Sequence, residues 1–346
     1  MTTTTAPAET GPRVRTPRRL FGLLVLAVLL SAAAMGSLAI GSRGVAATTI
    51  LDALRGIDRS SYDAVVVLTG RLPRTLIGLV VGAALGLAGT VMQGVTRNPL
   101  ADPGLLGVHA GAALALVGGI VLLGASSPAE YVWLAFGGAA VASVAVFLIG
   151  SRGPRGASPT SLALAGSAVT ALLIGATSVL LLRSESAFDD YRRWTVGSFA
   201  GRDPAAIGSV LPYLIVGAGL ALFSGRALNV MTLGEDVARA LGQHVGRTQL
   251  AAGVTIVLLC GSATAIAGPI AFVGLAVPHA ARLLTGPDFR WILPYAMLLA
   301  PLLLLAADII GRLVAQPGEL PVGVVTALLG APLFIALVRR RRTAEL

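Results

Sequence analysis

From Thr75 to Thr96 no residue carries a charge, and the run TLIGLVVGAALGLAGTVMQGVT is as long as a helix needs to be to cross ~30 Å of hydrocarbon. The pattern recurs. Apolar runs separated by charged or Gly/Pro-containing breaks occupy residues 20–41, 71–96, 104–125, 129–150, 160–182, 205–223, 248–266, 268–284, 291–314 and 320–338. Only 12% of the chain is charged, against roughly 25% in soluble domains. The sequence therefore predicts an all-α polytopic membrane protein with about ten transmembrane helices. Gly78, Gly82, Gly86 and Gly89 form a stripe on the second run, along which another helix can approach closely.

The formal net charge of +10 rests entirely on arginine, since the chain holds no lysine. A phosphate-binding loop of the GxxxxGK[ST] kind needs its lysine, so an ATPase site of that kind is excluded from this chain. The arginines lie in short breaks between apolar spans and read as topology determinants, not as a nucleic-acid face. Sixteen fall in the tails and alternate breaks of one side and ten on the other, which puts both termini in the cytoplasm. Residues 1–19, rich in Thr, Pro, Ala and Arg, read as a disordered cytoplasmic tail, 20–338 as the ten-helix transmembrane domain and 339–346 as a basic cytoplasmic tail. The run 20–41 is too long for the apolar part of a signal peptide and is expected to be the first span. Cys260 stands alone, which excludes an intrachain disulfide framework and a multi-cysteine metal site.

The spelling of the chain adds specificity. RLPR at residues 71–74, RNPLADPGLLGVHAGA at 97–112, GPIAFVGLAVPHAARL at 268–283, ADIIGR at 307–312 and GELPVGVVTALLGAPLFIALV at 318–338 resemble, in this order, the membrane permeases of bacterial ABC importers for cobalamin and ferric siderophores. RNPLADPGLLGVHAGA is more similar to the siderophore permeases, of enterobactin type, than to the cobalamin permease. The resemblance implies import of an iron(III)-siderophore across the bacterial cytoplasmic membrane, with cobalamin or haem as alternative cargo. It implies no catalysis and no cofactor in this chain, with ATP and Mg bound by separate ATPase subunits. An extracytoplasmic substrate-binding protein and a second permease subunit, more often a related chain than an identical one, complete the assembly. Helices two to five and seven to ten are implied to be inverted repeats. A shift of 170 residues pairs Pro99 with Pro269, Gly104 with Gly274 and His109 with His279.

Three groups of residues are candidates for function. In residues 226–247, Thr232 and Glu235 have capping-box spacing, acids open the first turn and Gly242 follows the last apolar position, which predicts an amphipathic helix over 233–241. Leu233, Val237 and Leu241 share one face of it. The segment Leu233, Gly234, Glu235, Val237, Ala238, Leu241, Gly242 resembles the coupling helix that docks on the ATPase; the alternative is a helix packed on its own bundle. Arg71, Arg74 and Arg312 are expected at the outer mouth, against the positive-inside bias, where the resemblance implies docking of acidic residues of the binding protein. Membrane-interface anchoring and an i,i+4 pair of Asp308 with Arg312 are the alternatives. The resemblance also implies a path lined by the fifth and tenth helices, with Ser158, Pro159, Thr160 and Ser161 as its inner gate.

An intramembrane Asp308 keeps a second class open, a proton-coupled secondary transporter. His109, His244 and His279 lack carboxylate or cysteine neighbours at ligand spacing, so no metal site is expected.

Overall fold

Burying apolar side chains without leaving backbone groups unpaired is what a helix achieves in lipid, and among the described residues every regular element is helical. The computed structural model describes residues 16–41, 44–152, 159–316 and 318–342, with side chains through Pro332 except that of Pro159. The helices are α1 Thr16–Ala39, α2 Ala47–Arg55, α3 Tyr62–Thr96, α4 Val108–Leu123, α5 Pro128–Ser151, α6 Pro159–Leu181 and α7 Glu185–Thr195. They continue with α8 Ala205–Phe223, α9 Gly225–Met231, α10 Glu235–Ala240, α11 Val245–Ala267, α12 Val273–Thr285, α13 Phe289–Val314 and α14 Val322–Arg342. Seven of these, α1, α3, α5, α6, α8, α11 and α13, are long and apolar enough to cross a membrane. α4 and the Val322–Pro332 part of α14 are shorter apolar helices.

α3 is the axis of the bundle, with 78% of its most apolar stretch buried. Its glycine stripe is where α13 and α12 approach. A Cβ on Gly82 would sit 2.5 Å from Pro301 Cα, one on Gly86 2.5 Å from the Ala296 carbonyl oxygen, and one on Gly89 2.1 Å from the Gly274 carbonyl oxygen. Gln93, one turn further, donates to the carbonyls of Gly274 (3.3 Å) and Leu275 (3.1 Å) and fixes the same contact with a buried polar bond.

Helical turns extend beyond the sequence-predicted spans. α1 begins at Thr16, so residues 16–19 of the expected tail are helical. α2 and the first turns of α3 fill residues expected to be loop: Ser61 caps α3 by accepting from the Ala64 N–H, and a π-turn at Val66–Arg71 precedes Pro73. Proline has no N–H and its ring crowds the carbonyl four residues back, so a widened turn there lets the helix run through. α7 likewise fills the expected outer loop, capped by Ser184 accepting from the Ala187 N–H at 3.2 Å. The expected boundary between the seventh and eighth spans widens to residues 268–272, held by positive φ at Gly268 (78°) and Phe272 (68°).

Candidate functional site

At the α2 and α7 end of the bundle, the three arginines and Asp308 converge. Arg74 Nε donates to both oxygens of Asp308 (2.9 and 3.0 Å), its Nη2 lies 2.8 Å from Asp308 Oδ1, and its Nη1 donates to the Glu319 carboxylate. Arg312 Nη2 stands 3.1 Å from Asp308 Oδ2, the i,i+4 pair. The same guanidinium donates to the Ser37 and Ile40 carbonyls at 2.9 and 2.8 Å and to Ser37 Oγ at 2.9 Å. Arg71 Nη1 donates to the carbonyls of Leu38 and Ala39, both at 2.8 Å.

The last carbonyls of a helix lack intrahelical partners and carry the negative end of its dipole. Two arginines from other helices therefore cap α1, and the positive charge against the topological bias has an internal use. Arg71, Arg74 and Arg312 are buried in this cluster, 8%, 9% and 4% exposed. The network's exposed member is Glu319, its side chain 45% accessible, which sequence reasoning did not single out. Its signal was available, an acid two residues from a proline on either side at the mouth of an apolar span.

At the opposite end α9 and α10 form the longest break. The predicted capping box is not made. Thr232 closes α9 by donating to the Asn229 carbonyl (2.7 Å), and Gly234, at φ 104°, takes the N-cap of a helix shortened to Glu235–Ala240. Glu235 instead accepts from Arg239 at 2.8 Å and from Gln249 at 3.4 Å, and stands 3.6 Å from Arg97. Ala238 is buried against Met231 and Val245, while Leu233, Val237 and Leu241 are 59%, 47% and 63% exposed. The segment is thus fastened by one small residue and by Glu235, and turns three large apolar side chains outward. Asp288, the N-cap of α13, ties α9 to the same end. Burial would raise its carboxyl, but bonds from Arg290 and Asn229 outweigh that and hold it down at about 2.

Of the expected gate, Ser158 lies outside the described residues and Pro159 is described by backbone alone, while Thr160 and Ser161 open α6. A cavity of about 660 Å³ runs beside α14, lined by Val324, Ala327, Leu328 and Ala331 with His109 and Pro269 opposite. His109 Nδ1 pairs with Thr264 Oγ1 at 3.1 Å. Cys260 is buried, and no three His, Cys, Asp or Glu side chains converge as a metal site among the described residues.

With this geometry in view, the comparisons are informative. Residues 23–340 match the FecCD transport family. The ferric enterobactin transport system permease protein FepD of Escherichia coli is 52% identical over 321 residues, 92% of this chain and 94% of that protein. The hemin transport system permease protein HmuU of Yersinia pestis is 39% identical over 339 residues, covering 94% and 97% of the two chains. The solved structure of a metal-chelate-type ABC transporter in an inward-facing conformation superposes with a TM-score of 0.76 at 30% identity, covering 93% of this chain and 99% of that one.

Proposed function

Since the chain belongs to the FecCD transport family, we propose that it is the membrane permease of an ATP-driven importer for iron(III)-siderophore complexes, an enterobactin-type tris-catecholate first among them. The observation that carries this is identity of 52% to a ferric enterobactin permease along nearly the whole length of both chains. In this reading the bundle crosses the bacterial cytoplasmic membrane ten times with both termini inside, and α3–α6 and α11–α14 are inverted repeats. Leu233, Val237 and Leu241 seat α10 on a separate ATPase subunit, which supplies the ATP chemistry this lysine-free chain lacks. ATP-driven closure of two such ATPases moves the coupling segments and switches the path between outward and inward states. α6 and α14 line that path with their counterparts in a second, related permease, and residues 158–161 gate its inner end.

Docking of an acidic binding protein at Arg71, Arg74 and Arg312 has to draw on guanidinium groups already engaged by Asp308, Glu319 and the end of α1. Glu319 marks where that cluster meets the surface. Proton coupling through Asp308 has no support in its surroundings, because both of its carboxyl oxygens are paired with the guanidinium groups of Arg74 and Arg312.

Uptake of iron-55 as the tris-catecholate in a strain lacking its own permease, with the matching ATPase and binding protein supplied, tests the reading. Expression of this chain restores uptake that stops on ATP depletion. Uptake that survives ATP depletion and collapses with a proton ionophore contradicts it.

A further inference from the structure

Beyond the arginine cluster, the outer end holds a cavity of about 410 Å³, within the range of small-ligand pockets of roughly 300–1,000 Å³. Its polar lining is Tyr131, Asp190, Arg193, Trp194, Ser198 and Arg202. Asp190 is already occupied: it accepts from Tyr131 Oη at 3.2 Å and pairs with Arg193 at 2.5 Å. Arg202 is not. Trp194 forms part of the wall, 4% exposed, with its indole Nε1 sealed from the cavity and without a hydrogen-bond partner. Arg202 makes one bond, Nε to the Ser198 carbonyl at 3.2 Å, and no carboxylate lies within 4.0 Å of its guanidinium among the described residues. Burial lowers the pKa of Arg202 with no acid to offset it, so an anion there recovers a cost the fold has not met elsewhere.

The frame of the cavity is fixed. Ser198 N–H donates to the Ala267 carbonyl and Gly323 N–H to the Gly197 carbonyl, both at 2.9 Å, so the segment after α7 is stitched to the end of α11 and the start of α14. A Cβ on Gly268 would come within 2.2 Å of the Trp194 carbonyl oxygen, and one on Gly323 within 2.3 Å of that of Val196. The backbone that carries Trp194 and leads on to Arg202 is therefore held against two helices. Val196 also borders the larger cavity beside α14, which places the two spaces side by side.

We propose that this cavity is an anion-binding vestibule, in which the Arg202 guanidinium takes an oxyanion arm, catecholate or carboxylate, of the incoming chelate, with Trp194 in the wall beside it. The inference rests on the importer reading and assigns its first contact with cargo on this chain. A guanidinium supplies donors and no acceptor, so it favours anionic tris-catecholates over neutral tris-hydroxamates.

Permease assembled with its ATPase in lipid nanodiscs is labelled with 5-fluorotryptophan. Trp133→Phe and Trp291→Phe leave Trp194 as the only reporter of the chain's three tryptophans. Fluorine-19 spectra are recorded against gallium(III) tris-catecholate, neutral gallium(III) tris-hydroxamate and cargo-free binding protein. The catecholate shifts the Trp194 resonance saturably, the hydroxamate does not, Arg202→Gln weakens the apparent affinity about tenfold, and Arg202→Lys restores part of it. No shift, an equal shift by the neutral complex, or a shift indifferent to Arg202→Gln overturns the proposal. A shift caused by cargo-free binding protein alone overturns it in favour of a protein contact. A silent Trp194 in an assembly that still imports ferric chelate sinks this site only, whereas absence of import sinks the importer reading.

Discussion

The two ends of the molecule solve opposite problems. At one end three arginines, Asp308 and the carbonyl end of α1 are drawn inside and pair with one another, with Glu319 at the surface of the cluster. At the other, three large apolar side chains of the α10 segment stand in the open, with Ala238 as their buried anchor. Charge buried and paired is structure before it is recognition, while apolar surface left uncovered beside a thin anchorage calls for a partner. Residue type alone suggests docking at both ends; burial distinguishes them.

Breaking the buried network is expected to have the largest effect. Asp308→Asn leaves Arg74 and Arg312 without their shared counter-ion, and removing one member of a buried pair costs about 3–5 kcal/mol. The purified permease is therefore expected to unfold at a markedly lower temperature, and Asp308→Asn combined with Arg312→Gln to recover part of the loss. A single substitution without effect would mean that the cluster is hydrated and open. Next comes the α3 seam. Gly89→Ala drives a methyl into the Gly274 carbonyl and is expected to cost about 1–3 kcal/mol, whereas Gly253→Ala, with open space around it, gains a few tenths through helix propensity. The same thermal assay reads both.

The smallest effect is at Asp288. Its folded pKa of about 2 lies below the unfolded value, so its stabilisation is complete above about pH 4 and fades as pH falls through the folded value. The difference in unfolding temperature between the protein and Asp288→Asn should be constant above that pH and shrink towards pH 2. A difference that grows on acidification would reverse the sign of the linkage.

Much of the bundle was legible because hydrocarbon imposes length and apolarity, which single residues report directly. What depended on distant partners was not. Thr232 and Glu235 have capping-box spacing, yet Thr232 is taken by the Asn229 carbonyl and Glu235 by Arg239 and Gln249, so the helix starts at Gly234. Arg71 and Arg312 gave no sign that α1, more than 30 residues away from either, ends between them. α2 and α7 were hidden by polar faces that a search for apolar runs passes over. Arg202 had no motif, and only its place in a cavity, with no carboxylate to pair with among the described residues, brings it forward.

The contrast between the two ends is tested most directly by loading the exposed α10 face with charge and measuring ATPase association. Leu233→Asp with Val237→Asp changes exposed residues only, so the permease should insert and unfold as before while the ATPase no longer co-purifies and its stimulation by the permease is lost. Retention of the ATPase at unchanged stoichiometry by that double variant would contradict the account, and return α10 to a helix that merely packs on its own bundle.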